Sequence, residues 1–197
     1  MAMSIVEGGN ISFSKNENGL FVEMTTENLS IISTQPSDIS NYTRLYGDPE
    51  VMQHLCEGKV RSPELVAERV KIAVNRWKEN NPYNVFSVFK RSTHEFLGVI
   101  VLSQKEAGVA ELSGIGHKES WNLGLATEAA TMMTGPYALH LKKENYFVNE
   151  KPLCEIVATA KPENRGSWKV SEKIGMIRDE KLVKEYGSDR YFYRMKV

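Results

Sequence analysis

Between Ser120 and Met133 the chain reads Ser-Trp-Asn-Leu-Gly-Leu-Ala-Thr-Glu-Ala-Ala-Thr-Met-Met. A short loop holding Gly124 runs into strong helix formers, with Thr127 and Glu128 in the first turn. Just upstream, Val109 to Gly116 carries glycines at 114 and 116 among apolar positions and reads as an irregular strand. Strand, small-residue loop and helix start bring free backbone N–H groups to one point. Together with the helix dipole they make an anion site, most often for phosphate. A Gly124 that only lets the loop turn explains the same residues, so this stretch alone leaves both readings open.

The flanking chain supplies elements to hold such a site. Ile11–Lys15 and Leu20–Met24 alternate in polarity around Asn16-Glu-Asn-Gly and predict a β-hairpin. Leu29–Ser33 is a further strand, and Gln35-Pro-Ser-Asp opens a helix capped by Ser37 or Asp38 that Gly47 ends. Asp48-Pro49 and Ser62-Pro63-Glu64 each pair a cap with a proline in the first turn. Behind the second, Val66, Val70, Ala73 and Trp77 share one helical face. Val85–Lys90 and Phe96–Ser103 then form a second hairpin, in which Gly98 marks a bulge or a close neighbour.

After the glycine loop, Ala129, Ala130, Met133, Tyr137 and Leu141 form a helix face, and Gly135-Pro136 should kink or divide that helix near Met132. Lys142–Pro152 reads as an exposed loop, Cys154–Ala160 as a strand, and Asn164–Ile174 as a short helix stopped by Gly175. Ile177–Glu185 and Tyr191–Val197 close the chain as an antiparallel pair around Gly187-Ser188.

The whole is an α/β chain of 197 residues, 41% hydrophobic and 25% charged, with a formal net charge of zero. The charge balance speaks against a general nucleic-acid binder and leaves room for a local basic groove. No segment approaches the ~20 apolar residues of a membrane helix. The N-terminus has neither a basic nor an apolar leader, so a cytoplasmic protein is expected. Cys56 and Cys154 are far apart and form no metal-ligand pattern; each is expected to be a small buried apolar residue.

Two signatures now stand in order: Trp121-Asn-Leu-Gly124-Leu-Ala126-Thr-Glu-Ala, and Asn164-Arg-Gly-Ser167-Trp-Lys-Val-Ser-Glu-Lys173-Ile-Gly175-Met176. In this order the sequence resembles the GNAT superfamily of N-acetyltransferases, and more narrowly its RimJ/RimL type. There the first motif commonly reads Trp-Gly-Lys-Gly-Tyr-Ala-Thr-Glu-Ala and the second Asn-x-x-Ser-x-x-Val-x-Glu-Lys-x-Gly-Phe. The resemblance spans about residues 27–197, implying an acetyltransferase domain there and an N-terminal extension over 1–26. It implies a mixed central sheet of six to seven strands flanked by about four helices and splayed in the middle to admit acetyl-CoA.

The resemblance also implies roles. Amides of Leu123, Gly124, Leu125, Ala126 and Thr127 would cradle the pyrophosphate of acetyl-CoA, and Asn164 would bond the pantetheine amide. A backbone N–H on the strand before the loop would polarise the thioester carbonyl. The amine acceptor, a protein N-terminus or a small molecule, must lose a proton before attack, since alkyl amines are protonated at neutral pH. Glu111, in the place of an Ala-Glu-Ile-Gly glutamate, is the candidate base, acting through water. Ser171 stands where many relatives place a tyrosine acid. It and Ser167, four residues apart, are candidate donors to the departing thiolate. Ser171 is otherwise a helix-surface serine, and Glu111 a salt-bridged strand residue.

Asn122 and Leu123 depart from the usual Gly and Lys and remove a positive charge near the phosphates. No metal is implied. The expected protein is a monomer or homodimer that transfers acetyl directly in a ternary complex, without nucleic-acid or membrane partners. A non-catalytic acyl-CoA-binding or interaction protein on the same fold is the alternative.

Overall fold

A computed structural model describes residues 2–6, 9–17, 19–53, 55 and 58–197, so the expectation for Cys56 lies outside the described residues. Strand β1 (Ala2–Val6) pairs antiparallel with β2 (Gly9–Asn16), which forms the expected hairpin with β3 (Gly19–Thr25). Period-two alternation turns Ile11, Leu20, Val22 and Met24 into the main core. The hairpin is thus built into the sheet, through pairing of β3 with β4 (Leu29–Ser33).

A 3-10 turn at Pro36–Asp38 leads into α1 (Ile39–Gly47). Asp38 does not cap α1 with its side chain. It is buried, and its Oδ2 accepts from Gln35 N at 2.9 Å and from Ser87 Oγ at 2.6 Å, tying the turn to the sheet. The other two start signals act as caps. Asp48 Oδ1 accepts from Glu50 and Val51 at α2 (Pro49–Met52), and Ser62 Oγ from Leu65 at α3 (Pro63–Lys78). Val66, Val70, Ala73 and Trp77 of α3 are all buried.

Strands β5 (Val85–Lys90), β6 (Phe96–Glu106) and β7 (Val109–Gly116) form the antiparallel centre. Against β6, β7 is regular up to Gly116; the ladder's irregularity falls at Gln104/Glu106 instead. The glycine in β6 serves close approach. A Cβ at Gly98 would stand 2.2 Å from Ile115 O and 2.6 Å from the Cα of Gly116, its cross-strand partner.

Helix α4 (Leu125–Met132) is followed by a π-helical turn, Met133–Tyr137, and α5 (Ala138–Lys143). The widened turn contains Pro136, which has no N–H to give the ladder, and meets the expected break near Met132. Lys142–Pro152 is not simply an exposed loop. It holds a small hairpin, β8 (Phe147–Val148) with β9 (Lys151–Pro152), anchored by fully buried Val148 and by Gly108 N donating to Val148 O at 2.9 Å. Cys154 follows and is exposed, contrary to expectation, because it precedes β10 (Glu155–Ala160) rather than lying inside it. The chain closes with α6 (Arg165–Lys173), β11 (Ile177–Arg178), β12 (Val183–Glu185) and β13 (Ser188–Lys196).

Among the described residues the large sheet has eleven strands, ordered β1-β2-β3-β4-β5-β6-β7-β10-β13-β11, with β12 paired to β13. It exceeds the expected six to seven because the N-terminal strands continue it past β4. Its one parallel pair is β7–β10, and that pairing covers only Val109–Glu111 against Glu155–Val157. Beyond Glu111, β7 stays with β6 while β10 stays with β13, up to Ala160. The sheet therefore opens between Leu112–Gly116 and Ala158–Ala160, leaving unpaired strand edge on both sides.

Candidate active site

The open end of β7 feeds the glycine loop, which is fastened at several points. His117 N donates to Leu97 O at 2.8 Å, Ser120 Oγ to His117 O at 2.6 Å, and Trp121 Nε1 to Gly116 O at 2.9 Å. Asn122 and Gly124 both adopt positive φ, 61° and 81°. Asn is the non-glycine residue that best tolerates this region, so Asn122 keeps the loop shape despite replacing glycine. Gly124 is the N-cap of α4 and offers no capping side chain. Glu128 N takes Gly124 O at 3.0 Å, whereas the amides of Leu125, Ala126 and Thr127 precede the first intrahelical bond. A Cβ at Gly124 would meet nothing within 4 Å, so the space in front of those amides is open. An anionic phosphate fits them.

A cavity of about 440 Å³ adjoins this helix start, lined by Gly124, Thr127, Thr131 and, from α6, Lys173. Lys173 brings to this side the positive charge that Leu123, 65% exposed, does not supply. Glu128 lines the same cavity and ties the helix start to the β3–β4 connection. It accepts from Asn28 N at 2.8 Å, from Asn28 Nδ2 at 3.0 Å and from Thr26 Oγ1. Burial alone would raise its carboxyl, but these bonds outweigh it and hold the group below the usual carboxylate range. Neither Lys173 nor Glu128 was singled out for a function by sequence reasoning. Glu128 is part of the first motif, but its partners lie about a hundred residues away.

On the far side of the opening, Asn164 is the N-cap of α6, with Oδ1 accepting from Ser167 N at 3.1 Å. Ser167 is half-buried in the first turn. Ser171 is buried rather than a surface serine, because its face of α6 packs inward.

Glu111 sits where β7 and β10 part, and it is not isolated. Tyr186, in the β12–β13 turn, donates its phenol to Glu111 Oε2 at 2.8 Å. Lys105 Nζ stands 3.6 Å from the same oxygen and 2.9 Å from Glu185 Oε1. Burial, then the bond to Glu111, push the Tyr186 phenol well above its ordinary range, so it stays a donor at neutral pH. Arg190 stacks its guanidinium 5.5 Å from the Tyr186 ring centroid. Sequence reasoning missed Tyr186 and Arg190, since they fall in a turn region with no motif. It did bring Glu111 to the strand edge where the structure has it. Glu111 lies at the closed end of the opening, and Gly124 and α4 follow the other end of the same strand. Among the described residues no cluster of side chains is suited to a metal ion.

The GNAT acetyltransferase domain model matches residues 28–177. A Bacillus subtilis (strain 168) protein described as an uncharacterized N-acetyltransferase, YnaD, is 28% identical over 179 residues, covering 87% of this chain and 95% of its own. The solved structure of a GNAT-family acetyltransferase from Bacillus anthracis is 25% identical, with a TM-score of 0.69 over 88% of this chain and 98% of its own. RimL, described as a ribosomal L7/L12 alpha-N-protein acetyltransferase in complex with coenzyme A, shares the fold at a TM-score of 0.71 and 16% identity, over 87% and 96%. With the split sheet, the uncapped helix start and these similarities in hand, the chain belongs to the GNAT family of acetyltransferases and is an acyltransferase that uses acetyl-CoA.

Proposed function

We propose that the protein transfers acetyl from acetyl-CoA to a primary amine, a protein N-terminus or a small amine, by direct transfer within a ternary complex. The observation that carries this reading is the position of Glu111. It is the last β7 residue paired with β10, so its carboxylate stands at the apex of the opening, held by Tyr186.

Acetyl-CoA supplies a thioester whose carbonyl carbon takes the amine nitrogen and whose sulfur leaves with the bonding electron pair. The chain's residues do the rest. Amides of Leu123 to Thr127 and the Thr127 hydroxyl hold the pyrophosphate, with Lys173 beside them. Asn164 has Oδ1 engaged in the α6 cap, so it meets pantetheine as a donor through Nδ2. An unpaired β7 N–H polarises the thioester carbonyl. Glu111 accepts the proton of the incoming ammonium through water, while Tyr186 orients the carboxylate and Lys105 stands 3.6 Å from it. Ser167 hydrogen-bonds the departing thiolate and relays to it the second proton shed by the attacking nitrogen, because Ser171 is buried in α6.

Initial rates of CoA release, measured with both substrates varied against a panel of amines and N-terminal peptides, test the reading. Intersecting reciprocal plots are expected. Parallel plots with an acetylated enzyme intermediate would overturn direct transfer, and silence of the whole panel would overturn the amine acceptor.

A further inference from the structure

A second cavity, of about 610 Å³, lies between the α2–α3 segment and the β12–β13 turn, within the size range of ligand pockets. Its described lining contains Lys59, Arg61 and Arg69 and no carboxylate, in a chain whose overall net charge is zero. Met52, Leu55, Val60 and Leu65 supply an apolar floor. Tyr186 closes one side, and it is the residue whose phenol bonds Glu111. The cavity therefore adjoins the carboxylate to which the acceptor amine must come.

Two guanidinium groups here, those of Arg61 and Arg190, have unmet demand, while Lys59 and Arg69 are exposed. None of Lys59, Arg61, Arg69 and Arg190 is in an ion pair with a described residue. Arg61 Nε is buried without a hydrogen-bond partner among the described residues. So is Nη1 of Arg190, a side chain only 9% exposed whose other nitrogens are spent on Thr159. The nearby acids, Glu111 and Glu185, are already shared with Lys105. Buried guanidinium N–H groups without partners are costly, and carboxylates are the ligands whose geometry matches them. A polycationic acceptor would instead bring like charge to these side chains.

Building on the acetyltransferase reading above, we infer that the acceptor is a primary amine with carboxylates close to its amino group. Either an acidic amino acid or a peptide with acidic residues after its first presents this chemistry. The amine lies at Glu111 and Tyr186, and the carboxylates face Arg61, Arg69 and Lys59.

The test uses the full chain with CoA bound and three peptides, each beginning with Ser and continuing with Glu, Ala or Lys residues, labelled at the C-terminus. Binding is read by fluorescence anisotropy and transfer by CoA release. The Glu peptide is expected to bind about tenfold or more tighter than the Ala peptide and the Lys peptide more weakly still, with the preference fading as salt rises. In the double variant Arg61→Glu/Arg69→Glu the order should reverse, while the rise in Tm with acetyl-CoA shows that the variant is folded. Free glutamate and spermine serve as competitors. Displacement by glutamate at lower concentration than the Glu peptide assigns a small-molecule acceptor, and the opposite order assigns a protein N-terminus. Equal binding of the three peptides, preference for Lys, or displacement by spermine alone overturns the inference. The two readings fail separately: acidic preference without any transfer removes the proposed function, and transfer without acidic preference removes only this inference.

Discussion

The phenol of Tyr186 donates to Glu111 Oε2 at 2.8 Å, joining the β12–β13 turn to the strand edge 75 residues earlier. If Glu111 takes the acceptor's proton, Glu111→Gln should lower kcat/KM about 10²- to 10⁴-fold. Tyr186→Phe, which removes one hydrogen bond to the carboxylate, should cost about tenfold. Both variants should keep the full acetyl-CoA-dependent rise in Tm. Loss of that rise would make the pair a structural tie instead.

Gly124 combines φ of 81° with empty space where a side chain would go. Gly124→Ala should therefore act through backbone strain, lowering stability by about 1–2 kcal/mol. Gly124→Glu adds a carboxylate in front of the uncapped amides and should abolish the acetyl-CoA-dependent shift in a thermal melt. A shift equal to that of the parent protein would place the pyrophosphate elsewhere.

Leu123 carries no charge on the glycine loop, and Lys173 is the cation lining the adjoining cavity. Leu123→Lys should lower the KM for acetyl-CoA about two- to fivefold at low salt, the range of an exposed charge pair. Lys173→Gln should raise it by a similar factor. Both effects should shrink at high ionic strength, where exposed charges are screened.

Asn164 caps α6, and in the proposed function it also donates to pantetheine. Asp caps a helix as well as Asn does but lacks the amide donor, so Asn164→Asp should keep the melting temperature while weakening acetyl-CoA binding. Asn164→Ala should lose both, with about 1 kcal/mol of stability gone. Calorimetric titration against thermal melts distinguishes these outcomes. Asn164→Asp with unchanged affinity would leave Asn164 a cap alone.

His117 is buried with Nε2 unpartnered among the described residues. Burial and then the charge of Arg44 hold its pKa below the usual histidine value, while Glu119, Asp48 and Glu95 pull the other way. The unfolded chain thus binds this proton at higher pH than the folded one. His117 therefore favours folding above its unfolded value of about 6.5, and that contribution is lost as pH falls toward the folded value. Melting temperature should drop between about pH 7 and pH 5, and His117→Leu should flatten that segment of the curve. An unchanged slope would assign the acid sensitivity to another group.

Local chemistry made much of this protein legible in one dimension. Caps followed by proline, as at Asp48 and Ser62, mark helix starts because the first-turn N–H groups need partners whatever the tertiary context. Period-two and period-3.6 burial at Ile11–Met24 and Val66–Trp77 follows from backbone geometry alone. The Gly124 loop was readable for the same reason, since one left-handed residue before a helix start is a local requirement. The hairpin at Phe147–Pro152 was not, because its anchor is the single buried residue Val148 among polar and exposed ones.

The acceptor side belongs to the tertiary structure. Tyr186, Lys59 and Arg61 come from segments without a periodic pattern, and only the tertiary packing of the β12–β13 turn against the approach to α3 brings them beside Arg69, with Arg190 stacked on Tyr186. Likewise the split at Glu111 exists only because β7 follows β6 while β10 follows β13. Strand separation depends on partners far along the chain, so Glu111 reads as one more strand glutamate until those partners are in place.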